Sequence, residues 1–145
     1  MKVPQVSVFL ENRRGRLHEA CDVLAKAGIN LITLALADTA DFGVMRLIVS
    51  DPAKAVQVLK DGGFTAILND VLAIEVPDRP GGLAGILEVL DTGGVNIEYI
   101  YAFSQSLENR AVLVFRFSDT DAAIKVLQQA GINMLRRVDL LSRGG

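Results

Sequence analysis

One cysteine, Cys21, and one histidine, His18, are all the chain has of the residues that most often build disulfides, zinc sites and nucleophile–base pairs. A lone thiol closes no intramolecular disulfide, and one Cys with one His falls short of a zinc ligand set. Cys21 sits at an apolar helix position and reads as a structural thiol. His18 lies beside that apolar stripe and reads as a solvated side chain, misplaced for acid–base work. No catalytic residue, metal or cofactor is therefore expected. Tryptophan is absent and aromatics are 6% of the chain, with 15 Lys and Arg against 17 Asp and Glu and an isoelectric point near 5.3. An RNA-recognition domain needs aromatic central strands and a basic surface. The stretch Phe42-Gly43-Val44-Met45 is a faint echo of such a strand with no basic cluster beside it, so nucleic acid is not an expected partner.

Long apolar runs are missing too: charges interrupt each one well short of the roughly 18 residues a membrane span needs. The start Met1-Lys2-Val3-Pro4 has no apolar leader, so the expected location is the cytoplasm. What is abundant is dispersed apolar side chains, half of all residues, with a mean hydropathy of +0.34. A small fold cannot hide that much, and some apolar surface should be covered by a second domain or subunit.

The chain repeats itself. Leu10-Glu11-Asn12-Arg13-Arg14-Gly15-Arg16-Leu17 is answered 66 residues later by Val76-Pro77-Asp78-Arg79-Pro80-Gly81-Gly82-Leu83. The same offset carries Gly28-Ile29-Asn30-Leu31 onto Gly94-Val95-Asn96-Ile97, and an offset of 68 carries Ser50-Asp51-Pro52 onto Ser118-Asp119-Thr120. Two extra residues therefore enter the second copy, at a hairpin tip around residues 105–109. The copies read as residues 1–70 and 71–145.

Each copy has the same coarse pattern. Short apolar runs at Val6 to Leu10 and Leu72 to Val76 have strand length and end in polar turns. Leu17, Ala20, Cys21 and Leu24 recur at i, i+3, i+4, i+7, as do Leu83, Ile86, Leu87 and Leu90, which predicts helices with one inward face, ended by Gly28 and Gly94. Hairpins follow: Leu31 to Ala37 with Phe42 to Val49 around a turn at 38–41, and Ile97 to Phe103 with Ala111 to Phe117. Asp51 and Pro52 start the next helix, which buries Ala55, Val56 and Leu59. Its partner, opened by Asp119 and Asp121, buries Ala123, Ile124 and Leu127. Last strands follow Gly63 and Gly131. The order is β-α-β-β-α-β twice, an α+β fold in which helices cover one face of an antiparallel sheet. Val44, Ile48, Leu113 and Phe115 leave the strands apolar on both faces, so the second face or a sheet edge should meet another domain.

The turn from first strand to first helix is the most informative part of each copy. In Asn12-Arg13-Arg14-Gly15-Arg16-Leu17 a glycine admits close approach to the backbone. The N–H groups of Gly15, Arg16 and Leu17 would converge at the positive end of the helix dipole, a place suited to a carboxylate. Asn30, just past the same helix, would offer an amide to that ligand. A donor and an acceptor together fit an amino acid's carboxylate and ammonium. Asp78, Gly81, Gly82, Leu83 and Asn96 repeat the arrangement, with Asp78 facing the ammonium. The alternative is that Asn12 and Asp78 merely cap helices and the glycines merely turn the chain. Tyr99, Tyr101 and Phe103 alternate along one strand, as core, interface or the lining of a side-chain pocket.

On these two turns, with Gly28-Ile29-Asn30-Leu31 and Gly94-Val95-Asn96-Ile97, the sequence resembles the ACT family of regulatory domains over nearly its whole length. The resemblance implies two ferredoxin-like ACT repeats. It also implies an amino acid held between paired domains, by the first turn of one and strand residues of a neighbour. By that match Asn12, Gly15, Leu17 and Asn30 are the candidates in the first copy and Asp78, Gly81, Leu83 and Asn96 those in the second. Pro80 keeps a proline common in the family, and Arg14 departs from it. Gly131-Ile132-Asn133 follows the second helix instead and reads as a decoy. The implied function is a non-catalytic, homodimeric amino-acid sensor acting on a partner enzyme of amino-acid metabolism, the alternative being a ligand-free assembly module.

Overall fold

The computed structural model describes residues 1–38, 42–103 and 110–144; most of the 38–41 turn and the 105–109 tip lie outside the described residues. Two compact units emerge, Pro4–Asn69 and Asp70–Gly145, the latter joined by Met1–Val3. The first unit is built from β1 (Val3–Glu11), α1 (Arg16–Lys26), β2 (Leu31–Asp38), β3 (Phe42–Val49), α2 (Pro52–Asp61) and the start of β4 (Thr65–Pro77). The second holds the rest of β4, then α3 (Gly82–Thr92), β5 (Ile97–Ala102), β6 (Arg110–Phe117), α4 (Thr120–Gln129), β7 (Met134–Leu135) and α5 (Arg137–Gly144).

The β-α-β-β-α-β order is present twice, with two departures from the pattern read in the sequence. The last strand of the first copy and the first strand of the second are one continuous strand, β4, because no glycine or proline interrupts residues 65–76. The closing strand β7 is only two residues long and is followed by a helix, α5, that the strand-like apolar pattern concealed. Asp139 opens α5 by accepting a hydrogen bond from the Arg136 N–H at 3.0 Å.

In the first unit β3 is central, antiparallel to β1 on one side, with Glu11 opposite Phe42 and Val6 opposite Leu47. On its other side β2 places Leu31 opposite Val49 and Asp38 opposite Gly43. The start of β4 flanks β1, where the Ser7 hydroxyl donates to Asn69 Oδ1 at 2.6 Å. The second unit matches: β6 pairs with β4 (Leu72 opposite Phe115, Pro77 opposite Arg110) and with β5 (Ile97 opposite Phe117, Ala102 opposite Leu113). β7 lies on the far side of β4.

Alternation along these strands makes the cores. Val6, Val8 and Leu10 of β1 join Met45, Leu47 and Val49 of β3 beneath Ala20 and Leu24 of α1 and Ala55 and Leu59 of α2. Leu72, Ile74 and Val76 meet Phe115 and Phe117 beneath Ile86, Leu90, Ala123 and Leu127 in the second unit. Each fully buried side chain of the larger kinds contributes roughly 1.5–3 kcal/mol. Leu113 and Phe115 face the helices in this register. On the opposite face Ile48, Val112 and Val114 are buried as well. Asp51 caps α2 by accepting from the Lys54 N–H, and Asp119 caps α4 by accepting from the Ala122 N–H, as their sequence positions predict. Among the described residues no helix is long and apolar enough to cross a membrane.

Helices α3 and α4 pack closely at Gly93, where an added Cβ would stand 2.7 Å from both methyls of Val126. Gly93→Ala is expected to cost about 1–3 kcal/mol of unfolding free energy by overpacking. Combined with Val126→Ala it should cost less than the two single losses added, a coupling readable from urea midpoints. Strict additivity would show that the helices have room to move apart.

Candidate functional site

The two first turns share one backbone design. Gly15 and Gly81 occupy the N-cap positions of α1 and α3 with φ of 91° and 82°, a left-handed conformation that strains any residue bearing a Cβ. The N-cap residues are these glycines, which offer no side-chain cap, and Asn12 and Asp78 before them are both exposed. One part of the expected donor cluster is also corrected. The N–H of Arg16 is turned back to the Arg13 carbonyl at 3.4 Å, and that of Gly82 to the Arg79 carbonyl at 3.0 Å, because the chain must tighten before the helix starts. Among the described residues no acceptor meets the N–H groups of Gly15 and Leu17, or of Gly81 and Leu83, at the positive helix ends. Asn12 and Leu17 border a hollow of about 90 Å³ with Leu36 and Gly43. Leu17, placed inward by its periodicity, is instead 40% exposed there, while Leu83 is half-buried against its core.

Asn30 and Asn96 stand elsewhere. The register puts Glu11, Phe42 and Asp38 at one end of the first sheet and Leu31 and Val49 at the other. The seven residue steps along β2 amount to about 23 Å. Asn30 is therefore at the opposite end of its own sheet from Asn12, and Asn96 from Asp78. The expectation that Asn30 serves the same ligand as its own turn fails within a unit, since the helix between them carries the chain back along the sheet. At that far end Asn30 and Ser50 clasp each other. The Asn30 N–H donates to Ser50 Oγ at 3.0 Å and the Ser50 N–H to the Asn30 carbonyl at 3.0 Å. In the second unit the Asn96 amide donates to Ser118 Oγ at 2.9 Å, so its side chain is engaged.

The copies diverge most at Arg16 and its counterpart Gly82. The Arg16 guanidinium lies 4.1 Å from the Phe64 ring centroid and pairs with Glu19 at 2.8 Å and Glu11 at 3.8 Å, leaving its side chain 13% exposed. Arg16 thus holds the first turn to the start of β4. At Gly82 a Cβ would collide with the Pro77 carbonyl oxygen, so that position accepts no side chain. Beside it opens a cleft of about 580 Å³. Val76, Pro77, Ile86 and Ile132 supply its apolar wall, with Glu75, Arg79, Arg110 and Asn133 among them. Arg110 pairs with Glu75 at 2.9 Å. Gly131-Ile132-Asn133, read as a decoy, lines this cleft. The visible signal was the loss of Arg16 at Gly82 and of Phe64 at Ile132.

Of the remaining residues, His18 is exposed and Cys21 is half-buried like its counterpart Leu87. Burial pushes the Cys21 thiol above its ordinary pKa. Tyr99 and Tyr101 stack at 6.5 Å and Phe103 is buried. A hydrogen bond from Arg13, aided by its charge, holds the Glu11 carboxyl below the usual range. Among the described residues no cluster of His, Cys, Asp and Glu could hold a metal ion.

A family model for an ACT domain pair matches residues 1–142. The chain is 46% identical to protein BT0572 from Bacteroides thetaiotaomicron, whose crystal structure superposes with a TM-score of 0.89, covering 97% of this chain and 96% of that one. The ligand-free regulatory subunit of aspartate kinase from Thermus thermophilus shares 20% identity at a TM-score of 0.61, covering 88% and 91%. That from Thermus flavus shares 19% at 0.60, again covering 88% and 91%. None of the curated proteins matches significantly.

Arg16→Ala is expected to lower unfolding free energy by about 1–2 kcal/mol, with Arg16→Lys recovering only part because an ammonium does not stack in the same way. Equal stability of wild type and Arg16→Ala would deny the contact its role. The raised thiol pKa lowers the thiolate fraction at pH 8, so Cys21 should alkylate more slowly in the native protein than in urea, and equal rates would deny the burial its effect.

Proposed function

The chain belongs to the ACT domain family, as an ACT domain pair, and from that premise we propose that it is a non-catalytic regulatory protein that binds free amino acids. The observation that carries this reading is the register. The turns of Asn12 and Asp78 lie at the opposite end of each sheet from Asn30 and Asn96. A ligand that engages a first turn together with the start of a second strand must draw them from two different ACT units, and in this reading a second copy of the chain would supply one of them. The carboxylate would meet the amides of Gly15 and Leu17, or Gly81 and Leu83, at the positive helix ends. Asp78 would receive the ammonium in the second turn, and Leu17 or Leu83 would cover the side chain.

The mechanism is linkage. A ligand that touches two units at once binds their joined arrangement better than the separated one, so it shifts the population toward the homodimer. A partner enzyme of amino-acid metabolism, acting in the cytoplasm, would read that shift. The likeness of the fold to regulatory subunits of aspartate kinase supports the partner class. The second reading, an assembly module without ligand, is favoured by Leu34 and Leu36, 43% and 47% exposed on the edge strand β2.

A melting scan against the twenty amino acids, with sedimentation alongside, separates the two. Ligand at 100 times its Kd adds about 2.7 kcal/mol. The expected result is that one chemical group of amino acids raises both Tm and the dimer fraction, and that Asp78→Ala and Asn96→Ala abolish the gain in dimer fraction. If no amino acid moves either quantity while the protein remains dimeric, the assembly reading replaces the sensor.

A further inference from the structure

The cleft beside Gly82 uses none of Asp78, Gly81, Leu83 or Asn96, and it lies wholly within one unit. Its volume, about 580 Å³, is within the range of small-molecule pockets. The duplicated frame explains why it is open. In the first copy the corresponding ground is covered by the Arg16 side chain, folded over Phe64 and tied to Glu11 and Glu19. In the second copy the counterparts of these residues are Gly82, Ile132, Pro77 and Gly85. The covering arginine, its aromatic floor and both of its carboxylates are gone together.

Loss of both carboxylates removes what would attract a cation, and the charges that remain favour an anion. Arg110 is neutralised by Glu75, which is 12% exposed. Arg79 meets no carboxylate among the described residues, so one guanidinium is unspent at the cleft. Its planar donor set matches a carboxylate. Asn133 also lines the cleft, and Ile86 and Ile132 give an apolar wall to the body of the ligand. We propose that this cleft is a second ligand site, complete within the second ACT unit, for a small monocarboxylate with an apolar body, such as an aliphatic amino acid or its 2-oxo acid. The ammonium is accommodated by Glu75 but is not required, and the first unit lacks the site because Arg16 fills it.

The test is a methyl NMR titration of the full chain, labelled at isoleucine, with three probes: L-leucine, 4-methyl-2-oxopentanoate and leucinamide. The first two should shift the Ile86 and Ile132 methyls saturably at millimolar concentration, and leucinamide, which lacks the carboxylate, should not. Ile132→Phe, which restores the residue found at the counterpart Phe64, should abolish the Ile86 shift. Arg79→Gln and Arg110→Gln, both at exposed guanidinium groups, should each weaken it roughly tenfold. Asn96→Ala should leave it unchanged, which separates this cleft from the inter-unit site. Silence of both methyls, equal shifts with leucinamide, competition by inorganic phosphate, or an Ile86 shift that survives Ile132→Phe would each overturn the proposal. None of these results bears on whether amino acids raise the dimer fraction through Asp78 and Asn96.

Discussion

Everything in each unit hangs on the antiparallel pairing of the central strand, β3 or β6, with its two neighbours. Strand side chains alternate, so a slip of one residue would turn Met45, Leu47 and Val49 away from α1 and α2 and expose them. The same pairing fixes which chain ends share an end of the sheet. Glu11 and the turn after it come to lie by Phe42, and Asn30 by Val49. The core and the separation of the candidate binding groups are therefore two consequences of one register.

That separation bears on regulation. A site completed inside one unit senses concentration without altering assembly, whereas one split between units couples occupancy to association by the full differential affinity. Among the described residues the N–H groups at the helix starts meet no acceptor, as the proposed split site requires, and Leu34 and Leu36 lie exposed on the edge strand β2. The Asn–Ser clasps share a serine N–H donated to the asparagine carbonyl and differ at the hydroxyl: Ser50 Oγ accepts from the backbone N–H of Asn30, Ser118 Oγ from the side-chain amide of Asn96. The two copies are thus poised unequally.

The duplication kept the frame and changed its contents. The left-handed glycines at the two helix starts stand 66 residues apart, and Asp51 and Asp119 cap equivalent helices. Against that constancy, Arg16 over Phe64 became Gly82 beside Ile132, and a tie between turn and strand became a cleft. A Cβ cannot return at Gly82 without moving the Pro77 carbonyl, so the open state is built into the backbone.

Local periodicity and turn chemistry determine much of this by themselves. The repeat, the four helices it predicts, the Asp51 and Asp119 caps and the α+β class are all legible, because spacings of 2 and 3.6 and the needs of a helix start are short-range facts. The identity of the turn residues was legible as well. Their company was not. That Arg16 folds onto Phe64, that Leu17 lies open, that Asn30 stands at the opposite end of its sheet from its own turn and that a motif taken for a decoy lines a cleft are all outcomes of the pairing of distant strands. The chain crosses the sheet between such residues, and only the tertiary register decides which ends meet.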